Sequence, residues 1–191
     1  MARHDASDNV NPPIRRLHER LVYRNRFAAI YDDPVVFAGG NEGTYLRIVE
    51  SGGKPGVAML PLCGSQIALV QTYRYAVESL EWGVPRGFAQ DADPIISARA
   101  ELTEELGRQP DELLPIGIIS PNSGLLAGQV HLFLARYATK AIEPKDGDEI
   151  IDVEWIGVRE LFGRIARGDI ADAFTLSAIT CAAARGLIEL G

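Results

Sequence analysis

The stretch from Glu81 to Gly107, E-W-G-V-P-R-G-F-A-Q-D-A-D-P-I-I-S-A-R-A-E-L-T-E-E-L-G, constrains this chain more than any other. Asp93 followed by Pro94 is a helix start, a carboxylate N-cap and then proline at the first helical position. Gly107 after Leu106, with Pro110 beyond, is the matching stop. At about 100° per residue, Ile95, Ala98, Leu102 and Leu106 fall on one stripe, which is expected to face a core. Glu101, Glu104 and Glu105 gather on a different face, where we expect solvent. Three carboxylates that close repel one another by a few tenths of a kcal/mol per exposed pair. A hard divalent cation reverses that sign, because magnesium takes carboxylate oxygens and tolerates water and phosphate beside them. A solvated acidic face is the alternative for such a helix. An apolar run ends in Val84-Pro85-Arg86-Gly87 just ahead of it, so the order is strand, glycine, polar loop, acidic helix.

That order, with Gly87, five residues, Asp93, seven residues and then Glu101-Leu102-Thr103-Glu104-Glu105-Leu106-Gly107, resembles the box of the Nudix hydrolase family. Asp93 stands where the family has glutamate, the loop is one residue short, and Ala100 replaces the arginine before the first glutamate. Arg99, one helical step away, points to another side. Q-T-Y-R-Y-A (71–76), V-Y-R-N-R-F (22–27) and S-P-N-S-G…V-H-L-F-L-A (120–135) are similar to segments of the ADP-ribose pyrophosphatase branch of that family. Where that branch commonly reads W-E-L-P-A-G before the box, this chain reads Trp82-Gly83-Val84-Pro85-Arg86-Gly87, so Gly83 replaces a glutamate. Glu81, two positions back and on the same face of a strand, is the residue placed to compensate.

The resemblance implies a fold class, α/β (α+β): the Nudix α/β/α sandwich around a mixed β-sheet, with an N-terminal antiparallel β extension. It implies Glu101, Glu105 and Glu104 as holders of Mg2+, with Mn2+ as a substitute, and the backbone carbonyl of Arg86 as a further metal ligand. Arg74 and Arg86 would bind the substrate's phosphates, for which a planar guanidinium is suited, and Glu81 would bind substrate nearby. Glu149, at the end of the acidic loop E-P-K-D-G-D-E (143–149), would be the general base, with Asp148 the alternative and Glu104 beside the reacting centre. The implied activity is hydrolysis of the diphosphate of a nucleoside diphosphate linked to a sugar, ADP-ribose foremost, to AMP and ribose 5-phosphate. A nucleotide-binding or regulatory module of the same fold with little or no turnover is the alternative, given Asp93, Ala100 and Gly83. A structural acidic helix in an unrelated α+β domain is the third reading.

The rest of the chain fits one main domain. Residues 1–13 read as a disordered tail, 14–50 as a β extension for dimerisation and the base site, and 51–191 as the hydrolase domain. Leu21–Phe27 and Val35–Ala38 read as strands around an Asp32-Asp33-Pro34 turn, followed by a strand at Thr44–Val49. Tyr23, Phe27, Tyr31, Phe37 and Tyr45 are expected mainly in core packing, with base stacking or docking as the alternative. Val57–Leu62 and Gln66–Tyr75 form a hairpin too apolar to face water. Leu114–Ile119, Val130–Tyr137 and Ile150–Ile156 read as strands, and Arg159–Arg167 and Asp172–Arg185 as helices. His131 reads as a structural histidine.

A net charge of −7 disfavours nucleic acid and anionic membranes as partners. The N-terminus has no apolar signal region and no run approaches a membrane span. Cys63 and Cys181, in no ligand spacing, are expected as buried thiols. The expectation is a cytoplasmic homodimer acting on a small molecule.

Overall fold

The computed structural model describes residues 12–89, 91, 93–140 and 149–189. Its contacts divide the chain into two units, one running through Gly52 with residues 124–127 added, the other made of 53–123 and 128–191. Most of the expected N-terminal tail lies outside the described residues.

The first unit is an antiparallel sheet of β1 (Ile14–Arg16), β2 (Leu21–Arg24), β3 (Ala28–Phe37) and β4 (Glu42–Glu50). β4 lies along the length of β3, while β1 and β2 pair with opposite ends of β3. The turn expected at Asp32-Asp33-Pro34 does not exist, because β3 runs straight through it. Two facts override the local turn chemistry. Pro34 lies between the stretches that pair with β1 and β2, and its carbonyl accepts from Leu17 N–H at 2.9 Å. Its missing N–H would point the same way, so the ladder to β4 loses nothing. The Asp33 carboxylate, 3% exposed, accepts from Arg20 N–H and Arg47 Nε, both at 3.0 Å. Core packing of the aromatics is also corrected, since Tyr23, Phe27, Phe37 and Tyr45 are exposed.

The second unit holds β5 (Gly56–Cys63), β6 (Gln66–Arg74), β7 (Ser79–Gly83), β8 (Arg86–Phe88), β9 (Glu112–Ile119), β10 (Val130–Arg136) and β11 (Ile150–Gly157), with α1 (Pro94–Leu106), α2 (Val158–Arg167) and α3 (Ala173–Ala184). The sheet order is β11-β6-β5-β10-β9, and β5 with β10 is its parallel pair. The β5–β6 hairpin turns at Gly64, where φ is +59°, and pairs only at Leu62–Ile67 and Cys63–Gln66. Beyond that the two arms take separate partners, β8 on β5 and β7 on β6.

Alternation along β5 and β10 sends side chains into two cores. Ala58, Leu60, Leu132 and Leu134 pack with Ala178, Ile179 and Ala182 of α3 and Leu161 of α2. Val57, Met59, Phe133 and Ala135 pack with Ala98, Leu102 and Leu106 of α1. Each of the Val, Leu, Ile, Met and Phe side chains contributes roughly 1.5–3 kcal/mol by leaving water, and each alanine less. Helices therefore cover both faces of a mixed sheet, the α/β/α arrangement expected, and the central arms are continuously apolar for that reason. Ile95 departs from the expected stripe: it is 40% exposed, and α1 meets the sheet only from Ser97 onward. Cys63 and Cys181 are free thiols, half-buried where full burial was expected. No described helix is long and apolar enough to cross a membrane.

Candidate active site

The site grows from the cap of α1. Asp93 Oδ1 accepts from Ile95 N–H at 2.9 Å, Pro94 follows, and Gly107 closes the helix at φ +72°. Those caps fix which residues face the sheet. Leu102 and Leu106 are buried, Glu101 is half-buried and Glu104 is exposed. Glu105 corrects the expectation of a solvent-facing carboxylate: it is only 8% exposed. At about 100° per residue it lies within about 20° of the buried Ala98, seven positions earlier, which turns it partly toward the sheet and which a rule that sorts by residue type misses.

Gly87 explains the glycine ahead of the helix. A Cβ built there would stand 2.2 Å from Glu101 Cδ and Oε1, and 2.5 Å from Oε2. The Glu101 carboxylate thus lies directly against the backbone of β8, in space that only glycine leaves open.

Arg86, one residue earlier, is the centre of the charge arrangement. Its Nη1 lies 3.4 Å from Asp172 Oδ1, and its guanidinium stacks on the Phe174 ring at 4.2 Å from the centroid. Burial pulls the Arg86 pKa down; the charges of Asp172, Glu81 and Glu105 pull it up, and that of Arg74 pulls it down, with a net lowering. Arg74, Glu81, Arg86 and Glu105 are thereby brought into one electrostatic neighbourhood. Arg74 Nε is buried and has no hydrogen-bond partner among the described residues. Two guanidinium groups this near each other repel, and an anion between them would relieve the repulsion.

Glu149 is exposed at the lead of β11. Ile150 pairs with Thr72, whose other neighbour is Glu81, so Glu149 stands at the Arg74 end of β6. Asp148 lies outside the described residues. Among the described residues, no group of three or more His, Cys, Asp or Glu side chains is gathered closely enough to hold a metal ion as it stands. His131 is half-buried, and burial lowers its pKa, so the ring is neutral near pH 7.

Sequence reasoning missed Asp172, Phe174 and Thr175. Asp172 was read only as the start of a helix, and it is the N-cap of α3, accepting from Thr175 N–H at 2.9 Å. Nothing local marks its second contact with Arg86.

A family model described as the NUDIX domain matches residues 53–175. The fold is similar to the solved crystal structure of an ADP compounds hydrolase, with a TM-score of 0.74 and 19% identity, over 93% of this chain and 98% of that one. No curated protein sequence matches the chain.

Proposed function

The chain belongs to the Nudix family, and on that premise we propose that it is a pyrophosphatase that cleaves the diphosphate bond of a nucleoside diphosphate linked to a sugar. ADP-ribose is the first substrate to test, with AMP and ribose 5-phosphate as products. The observation that carries this reading is the pair of guanidinium groups, Arg86 and Arg74, in one half-buried neighbourhood beside the α1 carboxylates. A diphosphate offers the charge and the oxygens that two such groups lack. The similarity to an ADP compounds hydrolase favours an adenine nucleotide.

The donors fit a hard divalent cation. They are carboxylate oxygens, and the Gly87 cradle that admits the Glu101 carboxylate also brings it beside the backbone of Arg86. Glu101, Glu105 and Glu104, with the Arg86 carbonyl, would hold magnesium, or manganese in its place. When bound, such ions neutralise the diphosphate and make phosphorus more electrophilic. Arg74 and Arg86 bind and orient the phosphates, and Glu81 sits beside them. Glu149 takes the proton from the attacking water, approaching from the end of β6, while Glu104 faces the same solvent. The exposed Leu21, Val22, Tyr23, Phe27 and Leu46 of the first unit support a homodimer formed through that sheet.

A second reading, a nucleotide-binding module with little turnover, is favoured by one observation. Ala100 is exposed and brings no cation to Glu104.

The test is a steady-state assay on nucleoside diphosphate sugars with magnesium and then manganese, in the wild type and Glu105→Gln. The expected result is AMP release from ADP-ribose, reduced about 10²–10³-fold or more in the variant. Binding of ADP-ribose with no turnover by the wild type establishes the module instead, and equal rates in both proteins end the α1 argument.

A further inference from the structure

Gly83, at the end of β7, is closed off from the other side. A Cβ there would come within 3.1 Å of Thr175 Oγ1 and 3.2 Å of Asp172 Oδ2. The first turn of α3 fills the room that a side chain at position 83 would need. It is tied in place by buried bonds. Val84 N–H donates to Thr175 Oγ1 at 2.9 Å, and the Thr175 hydroxyl and N–H donate to Asp172 Oδ2 at 2.6 and 2.9 Å.

These bonds divide the work of one carboxylate. Oδ2 caps the helix and holds Thr175, while Oδ1 faces the Arg86 guanidinium at 3.4 Å. Phe174 covers the guanidinium's flat side. Arg86 is therefore gripped by one edge and one face. A guanidinium has five N–H donors, so a contact with a single carboxylate oxygen leaves several for another anion. The grip also restricts the rotamers of a long side chain, an entropy that a mobile arginine would surrender on binding.

We infer that Asp172 is a positioning residue of the active site, a carboxylate brought by α3 into the space that Gly83 leaves open, and that it aims Arg86 at the diphosphate. The inference rests on the reading of Arg86 as a phosphate-binding residue. It also accounts for Gly83. The glycine opens the space that the first turn of α3, with Asp172 and Thr175, fills.

The test is a double-mutant cycle on Asp172→Asn and Arg86→Gln. The readout is KM and kcat for ADP-ribose, or Kd by calorimetry if the chain binds without turnover. Asparagine caps a helix as well as aspartate, so the fold is kept while the charge is removed. Asp172→Ser, a second neutral cap, gives the same comparison should the amide variant fail to fold. Asp172→Asn is expected to raise KM roughly tenfold with kcat little changed, and to change nothing further in the Arg86→Gln background. An unchanged or lower KM in Asp172→Asn, with KM raised in Arg86→Gln, overturns the inference and leaves the role of Arg86 standing. A rise of the same size in both backgrounds makes Asp172 merely structural and also overturns it. An Arg86→Gln variant with wild-type KM removes the role of Arg86 itself, and the inference with it.

Discussion

Two buried aspartate–arginine pairs, one in each unit, look alike and behave in opposite ways. Arg47 stacks on Tyr31 and Arg86 on Phe174, each guanidinium carbon 4.2 Å from the ring centroid. Around Asp33 the partners close completely. Its carboxylate accepts from Arg20 N–H and Arg47 Nε, Arg16 lies 3.8 Å away, and Arg47 also reaches Glu19 at 2.9 Å. Burial alone would raise the Asp33 pKa, but these donors hold it below the usual carboxylate range. Burial alone would lower the Arg47 pKa, yet Asp33 and Glu19 leave it raised. Around Arg86 burial wins. Asp172 meets it at the longer 3.4 Å with one oxygen committed to a cap, and Arg74 adds a like charge. The difference separates a staple from a receptor. The first pair has spent its charge on itself, whereas around Arg86 burial outweighs the charges of Asp172, Glu81 and Glu105.

The largest effect that sharpens this contrast is chemical. If an anion is recruited beside Arg86 in order to be cleaved, Glu149→Gln should lower kcat about 10²–10⁴-fold with KM and stability nearly unchanged. Part of the deficit should return as pH rises, because hydroxide from solvent then needs no base. The same signature in Asp148→Asn, and not in Glu149→Gln, moves the base by one residue.

The next effect belongs to the staple. Asp33→Asn should cost about 2–3 kcal/mol of stability, less than for a fully buried pair because Arg47 reaches solvent. Its folded fraction should hydrolyse substrate normally. The folded pKa of Asp33 is depressed, so the unfolded state binds more protons and the carboxylate's contribution is present above the unfolded pKa near 3.8. It disappears as pH falls through the folded value. Urea melts at pH 7 and pH 3 should therefore show the gap between wild type and variant narrowing in acid. A loss of activity without a loss of stability would break the contrast.

Gly87→Ala should act the other way round. The atoms nearest the new Cβ belong to the far end of the flexible Glu101 side chain, so the melting temperature should barely move. The carboxylate must shift, and activity should fall about tenfold or more, as expected when a reacting geometry moves by about 1 Å. The smallest effect is Ala100→Arg. A guanidinium there stands one turn before Glu104 and should raise kcat a few-fold by bracing it. A decrease would mean that Glu104 is oriented by another route.

What was legible in the sequence was local chemistry. Asp93-Pro94 and Gly107 bound α1 because caps act within one turn. The β5–β6 hairpin was legible because two apolar arms flank a glycine at positive φ. Asp32-Asp33-Pro34 misled for the same reason, since its turn signal is local while Arg20 and Arg47 are distant partners. Glu105 was assigned to water because charge is usually solvated, and its burial depends on how α1 seats on the sheet. The contact that fixes Gly83 was illegible altogether: Val84 and Thr175 are 91 positions apart.

The separate partners of β5 and β6 carry a consequence for how the chain is made. β5 waits for β10, and β6 for β11, so both pairings close long loops. On the ribosome, Arg74, Arg86 and the α1 glutamates emerge well before β11 and α3, which complete their surroundings. The strands β1 to β4 pair with one another as near neighbours and can do so while synthesis continues, ahead of the bonds from Ile48 to Leu125 and Ala127. The staple is then an early product of translation and the receptor a late one. A nascent chain that still lacks Asp172 has its glutamates and arginines in hand, with Arg86 not yet aimed.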